Sequence, residues 1–412
     1  LVEEEIIQEI RQEVANQLDY SETLSDQALE ELIEQQLFTH TRAAGWTAAR
    51  KAYSVKRIYH SFRGLDVLQP LLEDPGITEI MINSHNEVFI EREGLIRSCP
   101  VAFEHNQKLE DIIQSIVSKV NRVVNEASPI VDARLSDGSR VNVVLPPIAL
   151  KGPTMTIRKF PAKPLGMEDL VKKQALSEEA ARFLEQAVRA KYNMFIGGGT
   201  GSGKTTFLNA LSGFIPANER IITIEDSAEL QIYTIPNLVS LETRNANTEG
   251  KGEINMKQLI RTSLRMRPNR IIVGEVRGEE ALDMLSAMNT GHDGSLSTGH
   301  ANSSYDMLSR LETMVLSAAE MPIEVVRKQI ASAIDIMIHL TRMRDGSRKV
   351  SEISEVLGVE NGEIMLNPLF VFEEAGDGRS VKVAGRLQRT GNSLVHRQKF
   401  QLAGISVEGG LC

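Results

Sequence analysis

Gly198-Gly199-Thr200-Gly201-Ser202-Gly203-Lys204-Thr205 fits the pattern G-x-x-x-x-G-K-[ST]. In front of it, Tyr192-Asn193-Met194-Phe195-Ile196 reads as a buried strand, and behind it Thr206 to Leu211 reads as a helix with an apolar face. A glycine loop between strand and helix lets successive backbone N–H groups turn inward around phosphate oxygens. The helix that follows points its positive end at the same anion. Gly199, Thr200, Gly201, Ser202, Gly203, Lys204, Thr205 and Thr206 are therefore the expected nucleotide-binding residues. Lys204 supplies a point charge for the β- and γ-phosphates, and Thr205 a hydroxyl for Mg²⁺. A dinucleotide fingerprint fails on spacing, because a third glycine counted from Gly199 and Gly201 would fall at Lys204.

Outward from the loop, apolar runs and helices alternate, which argues for a largely parallel sheet covered on both faces. Ile221 to Ile224 is a second buried strand, ending in Glu225-Asp226 with Glu229 beyond, and Arg270 to Val273 is a third, ending in Gly274-Glu275. Ser295 to Thr298 is a short strand with His292 before it and His300 after. In such sheets ligands sit beyond the carboxyl ends of strands. Glu275 is the expected metal-side acid, with Thr205, and Glu229, then Glu225, is expected to orient or activate water. His292 and His300, each next to glycine, are expected to sense or contact the nucleotide.

With 412 residues the chain is long for one core, and two or three domains are expected. No apolar run reaches the ~20 residues needed to span a bilayer. Two cysteines, Cys99 and Cys412, build neither a disulfide framework nor a zinc cluster. The reading is a soluble, intracellular protein. The net charge of −9 is unevenly spread: residues 1–36 carry eleven acids and one base, Arg11, whereas 41–64 carry six bases and no acid. A solvated face beside an acidic one explains that segment better than a polyanion site.

Taken in order, residues 1–64 read as three helices, a bundle or an arm, with Thr23 or Ser25 capping the second. Residues 65–160 read as a small α/β domain, including the hairpin around Asp137-Gly138. Pro161 to Gly166 reads as a linker, 167–373 as the nucleotide-binding domain, and 374–412 as a glycine-rich tail. Lys204 is expected to be almost the only base that the nucleotide-binding domain itself brings to the phosphates.

Four stretches together resemble the Walker A, Asp box, Walker B and His box of the type II/IV secretion ATPase superfamily. They are the loop itself, Ile222-Thr223-Ile224-Glu225-Asp226-Ser227-Ala228-Glu229-Leu230, Arg267-Pro268-Asn269-Arg270-Ile271-Ile272-Val273-Gly274-Glu275-Val276-Arg277-Gly278 and Gly294-Ser295-Leu296-Ser297-Thr298-Gly299-His300-Ala301-Asn302. Pro129-Ile130-Val131-Asp132-Ala133-Arg134-Leu135-Ser136-Asp137-Gly138-Ser139-Arg140-Val141-Asn142 and Thr156-Ile157-Arg158-Lys159-Phe160 look like the CpaF (TadA) branch, which drives Tad/Flp pili. Ser227 stands where many relatives have proline, and the four-cysteine zinc module of other branches is missing. The resemblance implies an α/β fold with a RecA-like P-loop ATPase core and a smaller N-terminal domain. It also implies ATP and Mg²⁺ as cofactors and a homo-hexamer in the cytoplasm beneath an inner-membrane pilus platform protein; no nucleic acid is expected as a partner. Arg134 and Arg140, with Arg158, are implied to reach the γ-phosphate. The alternative is a nucleic-acid or DNA-transfer motor of the type IV secretion class. It wants a basic groove or stacking aromatics, and aromatics are only 5%. A GTP switch lacks its Asn-Lys-x-Asp string.

Overall fold

In the computed structural model, which describes residues 2–18, 25–92, 94–120, 122–160, 164–244, 246, 251–375 and 381–406, the chain divides into two units, Leu1–Ala162 and Lys163–Cys412. The first begins with helices α1 (Val2–Gln17), α2 (Asp26–Thr39) and α3 (Ala48–Arg63). Apolar residues spaced three and four apart put one stripe of each helix on a shared core. Ile6, Ile10 and Val14 meet Leu29, Ile33 and Leu37, and Val55 and Ile58 close the bundle. Ser25 caps α2 by accepting from the Ala28 N–H; Thr23, the other candidate cap, lies outside the described residues.

The same unit continues through α4 (Gln69–Glu73), β1 (Ile77–Ser84), β2 (Glu87–Arg92), β3 (Leu95–Cys99), α5 (Asn106–Lys119), β4 (Ile130–Arg134), β5 (Arg140–Val144) and β6 (Thr154–Arg158). The strands form an antiparallel sheet in the order β3-β2-β1-β6-β5-β4. Alternation sends Ile80, Ile82, Val141, Val143, Met155 and Ile157 into a core completed by Leu109, Ile112, Ile113 and Ile116 of α5. Val131 and Ala133 of β4 join that core, and the alternate residues of β4, β5 and β6 lie on the opposite face. Register there places Arg134 beside Arg140, Arg140 beside Arg158, and Arg158 beside Glu79.

Pro161 to Lys163 lie outside the described residues. The second unit runs α6 (Met167–Lys172), α7 (Glu178–Arg189), β7 (Met194–Gly198), α8 (Lys204–Ser212), β8 (Ile221–Glu225), β9 (Leu238–Glu242), α9 (Met256–Ser263), β10 (Arg270–Val273), α10 (Glu280–Met288), β11 (Leu296–Gly299), α11 (Ser304–Ala318), α12 (Ile323–Ala333), β12 (Ile336–Arg342), β13 (Arg348–Glu360), β14 (Glu363–Glu374), β15 (Gly385–Arg389) and α13 (Gln398–Leu402). The sheet order is β15-β14-β13-β12-β7-β11-β10-β8-β9, parallel from β12 to β9 and antiparallel from β12 to β15. Met194 and Ile196 of β7 enter one apolar cluster with Phe183, Leu184 and Leu208, while Phe195 between them enters another with Met284, Leu285 and Leu311. The sheet is thus covered on both faces, the condition under which parallel strands are stable.

Three strands beyond β12 were illegible as strands in the sequence, and so was β9. The segment read as a tail carries β15 and α13 on the same body. Leu387, Leu394 and Phe400 are buried in its core, and Tyr192 Oη donates to the His396 carbonyl at 2.6 Å. What holds this segment is packing against α7 and the start of β7, at a distance of some two hundred residues along the chain.

Candidate nucleotide site

The loop after β7 has the backbone that only glycine supplies. Gly201 and Gly203 sit at φ +71° and +94°, and a Cβ on Gly198 would stand 2.5 Å from the Leu340 carbonyl of β12. Gly203 therefore ends the loop in a left-handed turn, and α8 starts on Lys204 with Thr205 and Thr206 in its first turn. Gly199, Thr200 and Gly201 are exposed, and Ser202 is buried.

Lys204 is 8% exposed, yet its ammonium is fully engaged: it donates to the Gly198 and Gly199 carbonyls at 3.1 Å each and lies 3.2 Å from His300 Nδ1. Burial lowers its pKa, against the pull of Glu275. Burial, and then the charge of Lys204, hold His300 below the ordinary imidazole range. A lysine ammonium can only donate, so the neutral ring accepts at Nδ1 and carries its proton on Nε2. That nitrogen lies 2.6 Å from Glu275 Oε1. The other carboxylate oxygen of Glu275 receives Arg277 Nη2 at 2.7 Å, and Arg277 Nη1 reaches Asp226 at 3.5 Å. A continuous chain of polar contacts thus runs from the loop carbonyls through Lys204, His300, Glu275 and Arg277 to Asp226.

These residues share one edge because β7, β8, β10 and β11 are parallel and all four end there. Glu225, 4% exposed, closes β8 beneath them. It accepts from the Glu229 N–H at 2.9 Å and the Leu230 N–H at 3.1 Å, and its side chain fills the space that a Cβ on Gly274 would need. Burial pushes its pKa up to about 7, against those N–H groups and with help from Glu229 and Glu242. Glu229 is half-buried in the segment that follows β8, and its charge is felt at both Glu225 and Arg277.

His292 is not brought to this edge. It precedes β11, and parallel register with β7 carries it to the amino end of the strands, where its ring lies 3.3 Å from the Ala287 carbonyl. The pairing of two glycine-flanked histidines in sequence corresponds to opposite ends of one four-residue strand. Arg134, Arg140 and Arg158 belong to the first unit and sit in the cross-strand row described above.

Several residues at the site went unread in the sequence. Arg348 of β13 donates to the Gly201 carbonyl at 2.9 Å, bracing the loop from a strand with no clear pattern. His339 of β12 lies opposite Gly197 and is 6% exposed; its signal was present, as the one polar residue in Ile336 to Leu340. Arg310 of α11 lines an open cavity of ≈ 580 Å³ with Gly199, Thr200, His300, Ala301 and Asn302. The expectation that this domain offers the phosphates few bases besides Lys204 is therefore corrected: Arg310 and Arg348 also stand at the loop.

The donor set suits a divalent cation that keeps most of its water. Among the described residues no group of three or more His, Cys, Asp and Glu side chains is placed to hold a metal ion. Mg²⁺ needs no such cage, because nucleotide phosphates, one or two protein oxygens and water complete its shell. The Thr205 hydroxyl and the Glu275 carboxylate are donors of that kind.

A glycine loop capping α8, with acids at the ends of adjacent parallel strands, defines a P-loop nucleotide-binding core of the RecA-like class. The chain matches the family "Type II/IV secretion system protein" over residues 62–387. It is 34% identical over 71% of its length to a putative conjugal transfer protein of Mycobacterium tuberculosis, covering 84% of that protein. It is 32% identical over 74% of its length to the type IV secretion system protein VirB11 of Brucella suis, covering 91% of it. Among solved structures, the Legionella pneumophila ATPase DotB is similar in fold, with a TM-score of 0.52 and 21% identity over 73% of this chain and 82% of that one. The chain belongs to the type II/IV secretion system protein family and is an ATPase with that family's RecA-like core and N-terminal domain.

Proposed function

We propose that this ATPase is a homo-hexameric motor that couples hydrolysis of Mg²⁺-bound ATP to conformational work on a transport machine in the cytoplasmic membrane. The observation that carries the reading is the polar chain from Lys204 to Asp226 at the edge where the P-loop opens. Lys204 leaves the loop carbonyls for the phosphates, and Thr205 and Glu275 would hold the metal, which would supply positive charge to neutralise the phosphates. His300, released from Lys204 at Nδ1, is free to report the occupant of the loop to Glu275. Glu229, with Glu225 as second choice, orients the attacking water. Arg134, Arg140 and Arg158 supply the cationic row that meets the γ-phosphate during turnover of the ring.

Two machines fit. The similarity to a conjugal transfer protein and to VirB11 supports a type IV secretion or DNA-transfer apparatus. The sequence of 129–142 and 156–160 favours a Tad/Flp pilus and its inner-membrane platform protein. Among the described residues no helix is long and apolar enough to cross a membrane, so contact with either machine is peripheral in this proposal. The test is to replace the gene with its Lys204→Ala form and score conjugative transfer, protein secretion and surface pili in the same strain. Loss of transfer or secretion with pili intact supports the first machine, and loss of pili alone the second. Wild-type levels of all three would overturn the motor reading.

A further inference from the structure

Arg277 stands in a place that the nucleotide-binding reading leaves without a task. It lies just before α10, on the loop after β10, with 63% of its side chain exposed. One arm of its guanidinium meets Glu275 at 2.7 Å, and another reaches Asp226 at 3.5 Å. Its own backbone N–H is fixed by Glu280 Oε1 at 2.6 Å, so the side chain moves from an anchored base. Glu275, by contrast, is 19% exposed, and its other oxygen lies 2.6 Å from His300 Nε2.

The pairing balances the charge of Glu275. A carboxylate set for Mg²⁺ cannot stand half-buried and unpaired without cost. Its Oε2 accepts from the guanidinium, while its buried Oε1 lies 2.6 Å from His300 Nε2 without a hydrogen bond. The guanidinium is a full positive charge at the oxygen that a metal-side acid offers. A second feature makes it removable. Asp226 and Arg277 both line an open cavity of ≈ 350 Å³, whose wall mixes Glu253, Glu279 and Glu280 with Arg244 and Lys257. Arg277 can swing toward Asp226 and keep a carboxylate partner throughout.

We propose that Arg277 is a positioning residue: it is the counter-ion of Glu275 in the nucleotide-free site and yields that carboxylate when the metal arrives with the nucleotide. The proposal deepens the nucleotide-site reading and rests on it, but it does not depend on which machine the motor serves. Its consequence is competition. Each metal-binding event breaks the Arg277–Glu275 pair, so the native site binds Mg²⁺ more weakly than the carboxylate alone would. The pair is at the surface, and an exposed ion pair of this kind shifts an equilibrium by up to about fivefold.

The experiment measures binding, not turnover. A fluorescent, non-hydrolysable ATP analogue is titrated into the full chain in EDTA, and then Mg²⁺ is titrated at fixed nucleotide to find its half-saturating concentration. Arg277→Gln should leave affinity in EDTA within about twofold and lower half-saturating Mg²⁺ by about fivefold. Arg277→Lys, which keeps the charge and loses the fork, should fall between the two. Glu275→Gln should raise half-saturating Mg²⁺, and adding Arg277→Gln to it should change nothing further, because there is no charged carboxylate left to contest. Unchanged or higher half-saturating Mg²⁺ in both Arg277 variants, with melting temperature retained, would overturn the proposal and make Arg277 a structural tie or a helper of the metal. Failure of the wild-type chain to bind the analogue under any condition would instead strike the nucleotide-site reading itself.

Discussion

The two ends of the parallel sheet in the second unit are built from the same strands and hold their charges in opposite ways. At the carboxyl end, Lys204, His300, Glu275, Arg277 and Asp226 pass contacts from one to the next, and the last four are all partly exposed. At the amino end, Arg270 is fully buried, forks onto Glu219 at 2.6 and 2.8 Å and donates to the Val188 carbonyl. Beside it, Asn193 ties Met288, Ala333, Gly294 and Ser295 together, and Lys399 from α13 bridges Asp293 and Asp335. Charges at the amino end are satisfied for good; those at the carboxyl end are satisfied only until something else arrives. A buried, bidentate pair fixes the strands, whereas a chain of exposed pairs can open for a ligand.

The largest effect expected from this contrast is at Lys204. Lys204→Ala should abolish both nucleotide binding and hydrolysis, because the semi-enclosed site loses its central phosphate charge, while the unfolding midpoint changes little. Glu275→Gln should keep binding and lower turnover by ~10²–10³. Equilibrium binding and steady-state hydrolysis on purified protein decide it, and equal loss of binding in both variants would remove the distinction.

At the amino end the readout reverses. Arg270→Ala strands Glu219, and breaking a buried pair costs about 3–5 kcal/mol. Denaturant unfolding should show that loss. The surviving folded fraction should bind nucleotide normally. A folded variant of normal stability with impaired binding would mean that the two ends are not separate in function.

Glu225 sharpens the comparison, since it is a buried acid at the carboxyl end. Its folded pKa, about 7, lies above its unfolded value. The folded state therefore binds the proton more tightly, and stability is fully present below the unfolded pKa and lost as pH rises through about 7. Glu225→Gln keeps an oxygen for the Glu229 and Leu230 N–H groups and has no charge to bury. Relative to that variant, the native chain should lose up to about 3 kcal/mol between about pH 5 and about pH 8. A parallel pH dependence in the two proteins would show that ionised Glu225 is stabilised by something besides those two N–H groups.

What the sequence revealed of all this followed from how local each signal is. The glycine loop, β7, β8, β10 and their terminal acids were legible because strand, turn and helix are contiguous there. The bundle stripe of Ile6, Ile10 and Val14 was legible by period alone. β13 and β14 were not, since register shifts near Ser354 and Gly358 break their alternation. The docking of α13 was not, because Tyr192 and Phe400 meet across a long stretch of chain that leaves no local trace. Arg348 and Arg277 were within view but carried no role until the sheet placed them. The structure describes the arginine row of the first unit by its register, and the assignment of Arg134, Arg140 and Arg158 to the γ-phosphate remains a proposal.

The smallest expected effect belongs to His292, and it tests the contrast most directly. In sequence His292 and His300 look alike: each adjoins glycine, and one precedes β11 while the other follows it. Chain direction separates them. β11 runs parallel to β7, so the residue that follows it arrives beside the P-loop and the residue that precedes it stays at the far edge. His300 contacts Lys204 and Glu275 through its two ring nitrogens. The ring of His292 lies against the Ala287 carbonyl, and its backbone oxygen accepts from Ser295 Oγ at 2.7 Å. Alanine keeps that carbonyl. His292→Ala should therefore change stability by no more than about 0.5 kcal/mol and turnover by less than about twofold. His300→Ala should lower turnover by about tenfold, less than the ~10²–10⁴ of a group that itself transfers a proton in the transition state. The two variants, assayed side by side for hydrolysis at saturating ATP and for unfolding midpoint, give the answer in one experiment. If His292→Ala slowed turnover as much as His300→Ala, the amino edge would be communicating with the nucleotide, and the division between a fixed end and an opening end of this sheet would fall.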